Sequence, residues 1–138
     1  IDSITPYKKN EFPNIYKPFI VEGLDYLSLI RELKKYKLLL NANSVDDSPT
    51  NFSRRVFESL GCGSLLISED GNYPEGFEAN KNFLPYKYSK DLFENIPVFV
   101  ENYSLLKENM LPYIDNVKNI YSKVRQWEQF KEIVYGNS

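Results

Sequence analysis

Histidine is absent from this 138-residue chain, which removes Ser-His and Cys-His nucleophile schemes and every histidine-based metal site. Cysteine is almost absent. Cys62 stands alone, so no internal disulfide can form, and a reducing cytoplasmic setting is the default expectation. Long apolar runs are missing too. None approaches the ~20 residues needed to cross a bilayer, and the start has no charged-then-apolar leader, so no membrane span is expected. An excess of positive charge is also lacking. With 17 basic against 19 acidic residues the net charge is −2, which argues against nucleic acid or an anionic membrane as general partners. No internal repeat or low-complexity tract is visible. What remains is ordinary globular composition, 42% hydrophobic and 26% charged, with length enough for one substantial core.

Residues 1–14 are polar and punctuated by Pro6 and Pro13, as in a lead-in or linker; 15–138 then form the domain. Because Ile1 rather than Met opens the chain, a fragment of a longer protein is expected. The run 15–22 predicts a short strand with Pro18 near its start. Asp25 is placed to cap a helix over about 26–36, with Tyr26, Leu27, Leu29, Ile30 and Leu33 on or near its buried stripe. Residues 37–42 and 64–68 are apolar on both faces, the pattern of strands buried inside a parallel sheet. A helix over about 51–61 lies between them. Three strands alternating with two helices predict an α/β fold with a partial Rossmann-like parallel sheet, followed by helices at the carboxyl end. Residues 83–87 suit a short edge strand. Helices are expected at about 90–96 (capped by Ser89 and ended by Pro97), at 104–110 before Pro112, and at 115–134. The last would carry Val117, Ile120, Tyr121, Val124, Trp127 and Val134 on one face.

The stretch Asn41 to Ser68 carries the chemistry. An apolar strand, a polar loop, a short helix, a Gly61-Cys62-Gly63 turn and a second apolar strand aim a helix start at the mouth of a parallel sheet. Anionic ligands suit that place, since backbone N–H groups and the helix dipole favour negative charge there. At 100° per residue, Phe52, Val56 and Leu60 share one side of the helix and Arg54, Arg55 and Glu58 the other. The bland reading of the second side is a solvated face with an ion pair worth a few tenths of a kcal/mol. The sharper one is a phosphorylated-sugar or nucleotide site, with Glu58 accepting from sugar hydroxyls.

The string Asn51-Phe52-Ser53-Arg54-Arg55-Val56-Phe57-Glu58, running on through Gly61-Cys62-Gly63 into an apolar strand, resembles the hallmark segment in the C-terminal domain of GT-B-fold glycosyltransferases. The branch is the one labelled glycosyl transferases group 1, or CgeB-like. Val21 to Tyr26 is similar to that domain's strand, Gly turn and aromatic helix opening. The resemblance covers about residues 15–134, and its specificity sits in 41–68. It implies that Glu58 holds the ribose of a nucleotide-sugar donor and that Thr50, Asn51, Phe52, Ser53 and Arg55 face the diphosphate. Gly23 and Tyr26 would lie where the base is held. It assigns no catalytic residue, no metal and no cofactor beyond the nucleotide-diphosphate sugar as substrate. It also implies an N-terminal acceptor-binding domain as partner, without which this piece is inactive. Many retaining members carry a first glutamate eight residues before the second; here that position is Thr50.

The function expected is therefore hexosyl-type transfer from a nucleotide-sugar to an acceptor, with a non-catalytic GT-B-like binding or assembly module as the alternative. A response-regulator-like switch fits poorly, because no phospho-acceptor aspartate sits at a strand end. Cys62 reads as a small packed residue at a helix end, and Gly61 and Gly63 as helix terminators. Glu69, Asp70, Glu75 and Glu78 match no EF-hand spacing and read as a solvated loop. Tyr73 and Phe77, in a loop near the strand ends, are the aromatics placed to approach a ligand.

Overall fold

The computed structural model describes residues 3–4, 13–21, 23–42 and 53–136, the first pair as backbone only. The chain divides into two compact units, Ile1–Lys35 and Tyr36–Ser138.

In the first unit, strand β1 (Ser3–Ile4) pairs in parallel with β2 (Ile20–Val21). The strand expected over 15–22 is reduced to its last part. Pro18, with its fixed φ, sits instead in a 3-10 turn over Lys17–Phe19. Helix α1 (Tyr26–Leu33) starts where expected, because the Asp25 carboxylate accepts from the amides of Leu27 and Ser28, both at 3.1 Å. Leu29 and Leu33, four residues apart, are its buried residues, whereas Tyr26 and Leu27 are exposed. The expected stripe was therefore too wide at its start.

The second unit holds a three-stranded parallel sheet in the order β3 (Leu38–Asn41), β4 (Leu65–Glu69), β5 (Leu84–Tyr86). This is the α/β fold read from the sequence, a partial Rossmann-like sheet followed by helices. The third strand of the sheet is the short segment after residue 83, at the edge as expected. Helix α2 (Arg54–Cys62) connects β3 to β4. It ends on Gly63 at φ 81°, a left-handed position natural to glycine, while Gly61 lies inside the helix. Leu65, Leu66 and Ile67 are buried on both faces of the central strand. Around them Val56, Leu60, Phe83, Leu84, Leu92, Met110, Ile114 and Val117 complete the core.

Pro97 and Pro112 do not end helices. They lie inside α3 (Ser89–Glu101) and α4 (Tyr103–Ile120). Proline there denies a hydrogen bond to the carbonyl four residues back, here Phe93 and Glu108. Those two residues and both prolines are exposed, so water can serve the freed carbonyls while Leu92, Met110, Ile114 and Val117 stay packed. At the start of α3 the capping position is Tyr88, whose N–H donates to Asp91 Oδ2 at 3.1 Å, rather than Ser89. The single helix expected over 115–134 is two, because Ser122 caps a new helix, α5 (Lys123–Tyr135), accepting from Arg125 N at 3.3 Å. Val117 is buried on α4. Val124, Trp127 and Val134 on α5 are exposed, and α5 buries no residue. None of the helices among the described residues is long and apolar enough to cross a membrane.

Candidate functional site

In register, Asn41 lies beside Ser68, and Glu69 beside Tyr86. The three parallel strands thus end together, and polar side chains gather at their carboxyl ends. Asn41 Nδ2 donates to Ser68 Oγ at 3.0 Å. The Ser53 hydroxyl, at the N-cap of α2, donates to Asn41 Oδ1 at 3.0 Å instead of capping its own helix. The Tyr73 hydroxyl lies 2.6 Å from Ser68 Oγ and 2.5 Å from the Glu69 carbonyl oxygen. Tyr86 Oη stands 3.3 Å from Glu69 Oε1 and 3.4 Å from the Asn41 carbonyl oxygen. Burial, and then the Glu69 carboxylate, push the Tyr86 phenol up to about 12.

Helix α2 rises from this cluster. Val56 and Leu60 bury completely in the core, as the helical phase requires, and Phe57 meets Phe77 and Tyr121 edge-on at 5.4 and 4.9 Å between ring centres. On the other side the solvated face is only half realised. Arg54 is 77% exposed, but Glu58 keeps only 6% of its side-chain surface. Arg54 Nε sits 2.9 Å from Glu58 Oε1, and Arg55 Nε 3.9 Å from Oε2. The first contact is close enough for strong Coulomb attraction, yet it lacks hydrogen-bond geometry, and among the described residues buried Oε1 accepts no hydrogen bond.

Of the residues singled out in the sequence, the fold brings together Ser53, Arg55 and Glu58, the first at the start of α2 and the others within its first two turns. Thr50, Asn51 and Phe52 lie outside the described residues. Gly23 and Tyr26 belong to the first unit, at the turn before α1 and at its first residue, and both are exposed. Tyr73 lies at the strand ends, where it had been expected. Phe77 instead packs among Phe57, Tyr73 and Tyr121. Cys62 closes α2, half-buried and free of any disulfide. Glu69 ends β4, and Glu78 pairs with Lys81 at 2.6 Å. Among the described residues no three His, Cys, Asp or Glu side chains are grouped to hold a metal ion.

Sequence reasoning passed over Asn41, Ser68 and Tyr86. The available signal was a polar residue at the carboxyl end of each buried strand, the position from which open α/β sheets meet ligands. A cavity of about 210 Å³ opens elsewhere, between α2 and α4, lined by Phe57, Leu60, Val117 and Tyr121 with Lys118 at its side. Its walls are mostly apolar and include neither Glu58 nor the strand ends, so the polar cluster is the better candidate for chemistry.

Comparison with known proteins agrees at the level of family. No curated protein and no solved structure matches the chain. The profile of a family described as glycosyl transferase-like matches residues 6–130, nearly the whole length. This chain belongs to the glycosyl transferase-like family.

Proposed function

We propose that residues 15–138 are the nucleotide-sugar-binding half of a two-domain GT-B-type glycosyltransferase of the CgeB-like branch, with 1–14 as its lead-in. It would work in the cytoplasm, and only with an N-terminal acceptor-binding domain, moving a hexose-type unit from a nucleotide-diphosphate sugar to an acceptor. Family membership supports sugar transfer in general. The observation that carries the donor assignment is Glu58 Oε1, a buried acceptor that is ion-paired with Arg54 but accepts no hydrogen bond among the described residues, on the helix that starts at the strand ends. A ribose hydroxyl donating to it would relieve the deficit, once the groups that now cover Oε1 give way. The helix start supports the diphosphate end of the same reading. Ser53 gives its hydroxyl to Asn41 and does not cap α2, an arrangement suited to an anion at the helix's backbone amides. Arg55 offers the guanidinium fork that matches phosphate oxygens. The family resemblance assigns Thr50, Asn51 and Phe52 to the diphosphate. Charge on the diphosphate is met by Arg55 and helix amides, with no metal in the scheme.

Calorimetry with UDP, GDP and ADP on the full-length protein tests this reading. At least one should bind, and Glu58→Gln should weaken it about tenfold to a hundredfold, the effect of losing a charge-assisted hydrogen bond. Unchanged affinity in that variant removes Glu58 from the donor site. Thr50, where many retaining enzymes carry a glutamate, favours the second reading, a binding or assembly module; donor binding without turnover in the full-length protein would select it.

A further inference from the structure

The polar cluster at the strand ends has a direction, and the direction follows from which atoms own protons. Asn41 presents Oδ1 to the Ser53 hydroxyl, which donates to it, and Nδ2 to Ser68. An amide NH₂ only donates, so Ser68 Oγ accepts and keeps one proton of its own. Tyr73 also has a single proton and lies against both Ser68 Oγ and the Glu69 carbonyl. A carbonyl oxygen only accepts. The Tyr73 proton therefore goes to Glu69, and the 2.6 Å contact between the two hydroxyls is served by the Ser68 proton. The chain runs one way, from Ser53 through Asn41, Ser68 and Tyr73 to the Glu69 backbone.

We propose that this chain of hydrogen bonds is a positioning relay that fixes the start of α2 against the ends of β3 and β4, with Asn41 and Tyr73 as its positioning residues. The proposal deepens the donor reading and rests on it for its consequence in binding. Ser53 is the residue that opens α2, Arg55 and Glu58 follow it in the helix, and its hydroxyl is committed to Asn41 rather than to its own helix. Asn41 and Ser68 are buried, so their bonds form away from competing water. Tyr73 adds the segment after β4, and its ring is held by Phe83 at 4.4 Å and Phe77 at 6.0 Å between centres. One hydroxyl on that segment thereby helps set where the helix start presents its amides and Arg55. A misplacement of under an ångström there is enough to weaken a site built on aligned donors.

Tyr73→Phe removes only the terminal hydroxyl and keeps the ring in its packing. The control is Tyr121→Phe, which deletes a hydroxyl bonded to the Glu75 carbonyl at 3.0 Å, in the same aromatic cluster but outside the relay. Amide hydrogen exchange in the full-length protein is read at Arg54 to Phe57, and UDP, GDP and ADP affinities are read by calorimetry. In Tyr73→Phe, exchange at those amides should quicken several-fold and affinity fall about three- to tenfold, with both unchanged in Tyr121→Phe. Exchange in Tyr73→Phe that matches wild type or the control overturns the relay. Faster exchange with unaltered affinity also overturns it, leaving the chain a packing feature without influence on the site. If folded wild-type protein binds none of the three nucleotides, the donor reading fails, and the exchange comparison alone decides the relay.

Discussion

Glu58 shows how burial changes the meaning of a residue pair. Three- and four-residue spacing puts it beside Arg55 and Arg54 on any helix, and on an exposed helix such pairs stabilise by a few tenths of a kcal/mol. Here one partner is solvated and the other is buried. Removing the arginine strips a buried carboxylate of a neighbouring charge, which costs more than an exposed pair and less than a fully buried one. Arg54→Ala is accordingly expected to lower stability by about 1–2 kcal/mol in chemical denaturation. A change below a few tenths would return the pair to the ordinary surface class. Tyr86 offers a second check. Its phenol is raised to about 12 by burial and by Glu69, so the folded state holds the proton more tightly than the unfolded chain, where tyrosine titrates near 10. The stabilising contribution is complete below about pH 10 and is lost as pH climbs toward 12. Alkaline unfolding curves for wild type and Tyr86→Phe should therefore converge in shape below pH 10 and diverge above it, with wild type losing stability faster.

At the scale of elements, local signals placed a boundary where a single residue's capping or turn preference settles it. Asp25 opens α1 and Gly63 closes α2, each by a side-chain or backbone preference that needs no tertiary contact. Proline misled, because its cost in a helix, about 3 kcal/mol, is set against whatever the helix packs on. In α3 and α4 that packing is the core itself, and the prolines face outward. The loop between β4 and β5 is held by a different device. Buried Asn82 donates to the Gly76 carbonyl at 2.7 Å and accepts from the Glu78 amide at 2.9 Å. Gly76 itself is left-handed at φ 86°, and a Cβ there would come within 2.6 Å of Ile120 Cδ1 on α4. Gly76→Ala should then destabilise by at least about 1–2 kcal/mol, the cost of a left-handed conformation for an L-residue, with the displaced Ile120 adding to it. Equilibrium unfolding measures this, and a neutral Gly76→Ala would mean that the turn readily adopts another conformation.

For the molecule as a whole, a net charge of −2 provides no general attraction for a nucleotide. In the proposed donor site the diphosphate would be held by local groups, Arg55 and the amides that open α2. Nucleoside diphosphate affinity should therefore fall only a few-fold between about 50 and 200 mM salt, because the screening length is already near 10 Å and few phosphate contacts are involved. A salt response as steep as that of a nucleic-acid-binding protein would point to a wider basic surface than the sequence contains. The sequence by itself determined the α/β class, the parallel sheet, the helix that starts at its mouth and the family resemblance. These follow from apolar runs, glycine turns and one short contiguous string, all legible in chain order. Only the tertiary structure decided that Glu58 is buried with an unserved oxygen, that Pro97 and Pro112 continue their helices, and that α5 leaves Trp127 exposed. It alone brought Ser53, Asn41, Ser68 and Tyr73 into one chain of hydrogen bonds. The physical reason is common to all four. Burial and hydrogen bonding between distant residues depend on what packs across the sheet ends, and no local period or propensity encodes that.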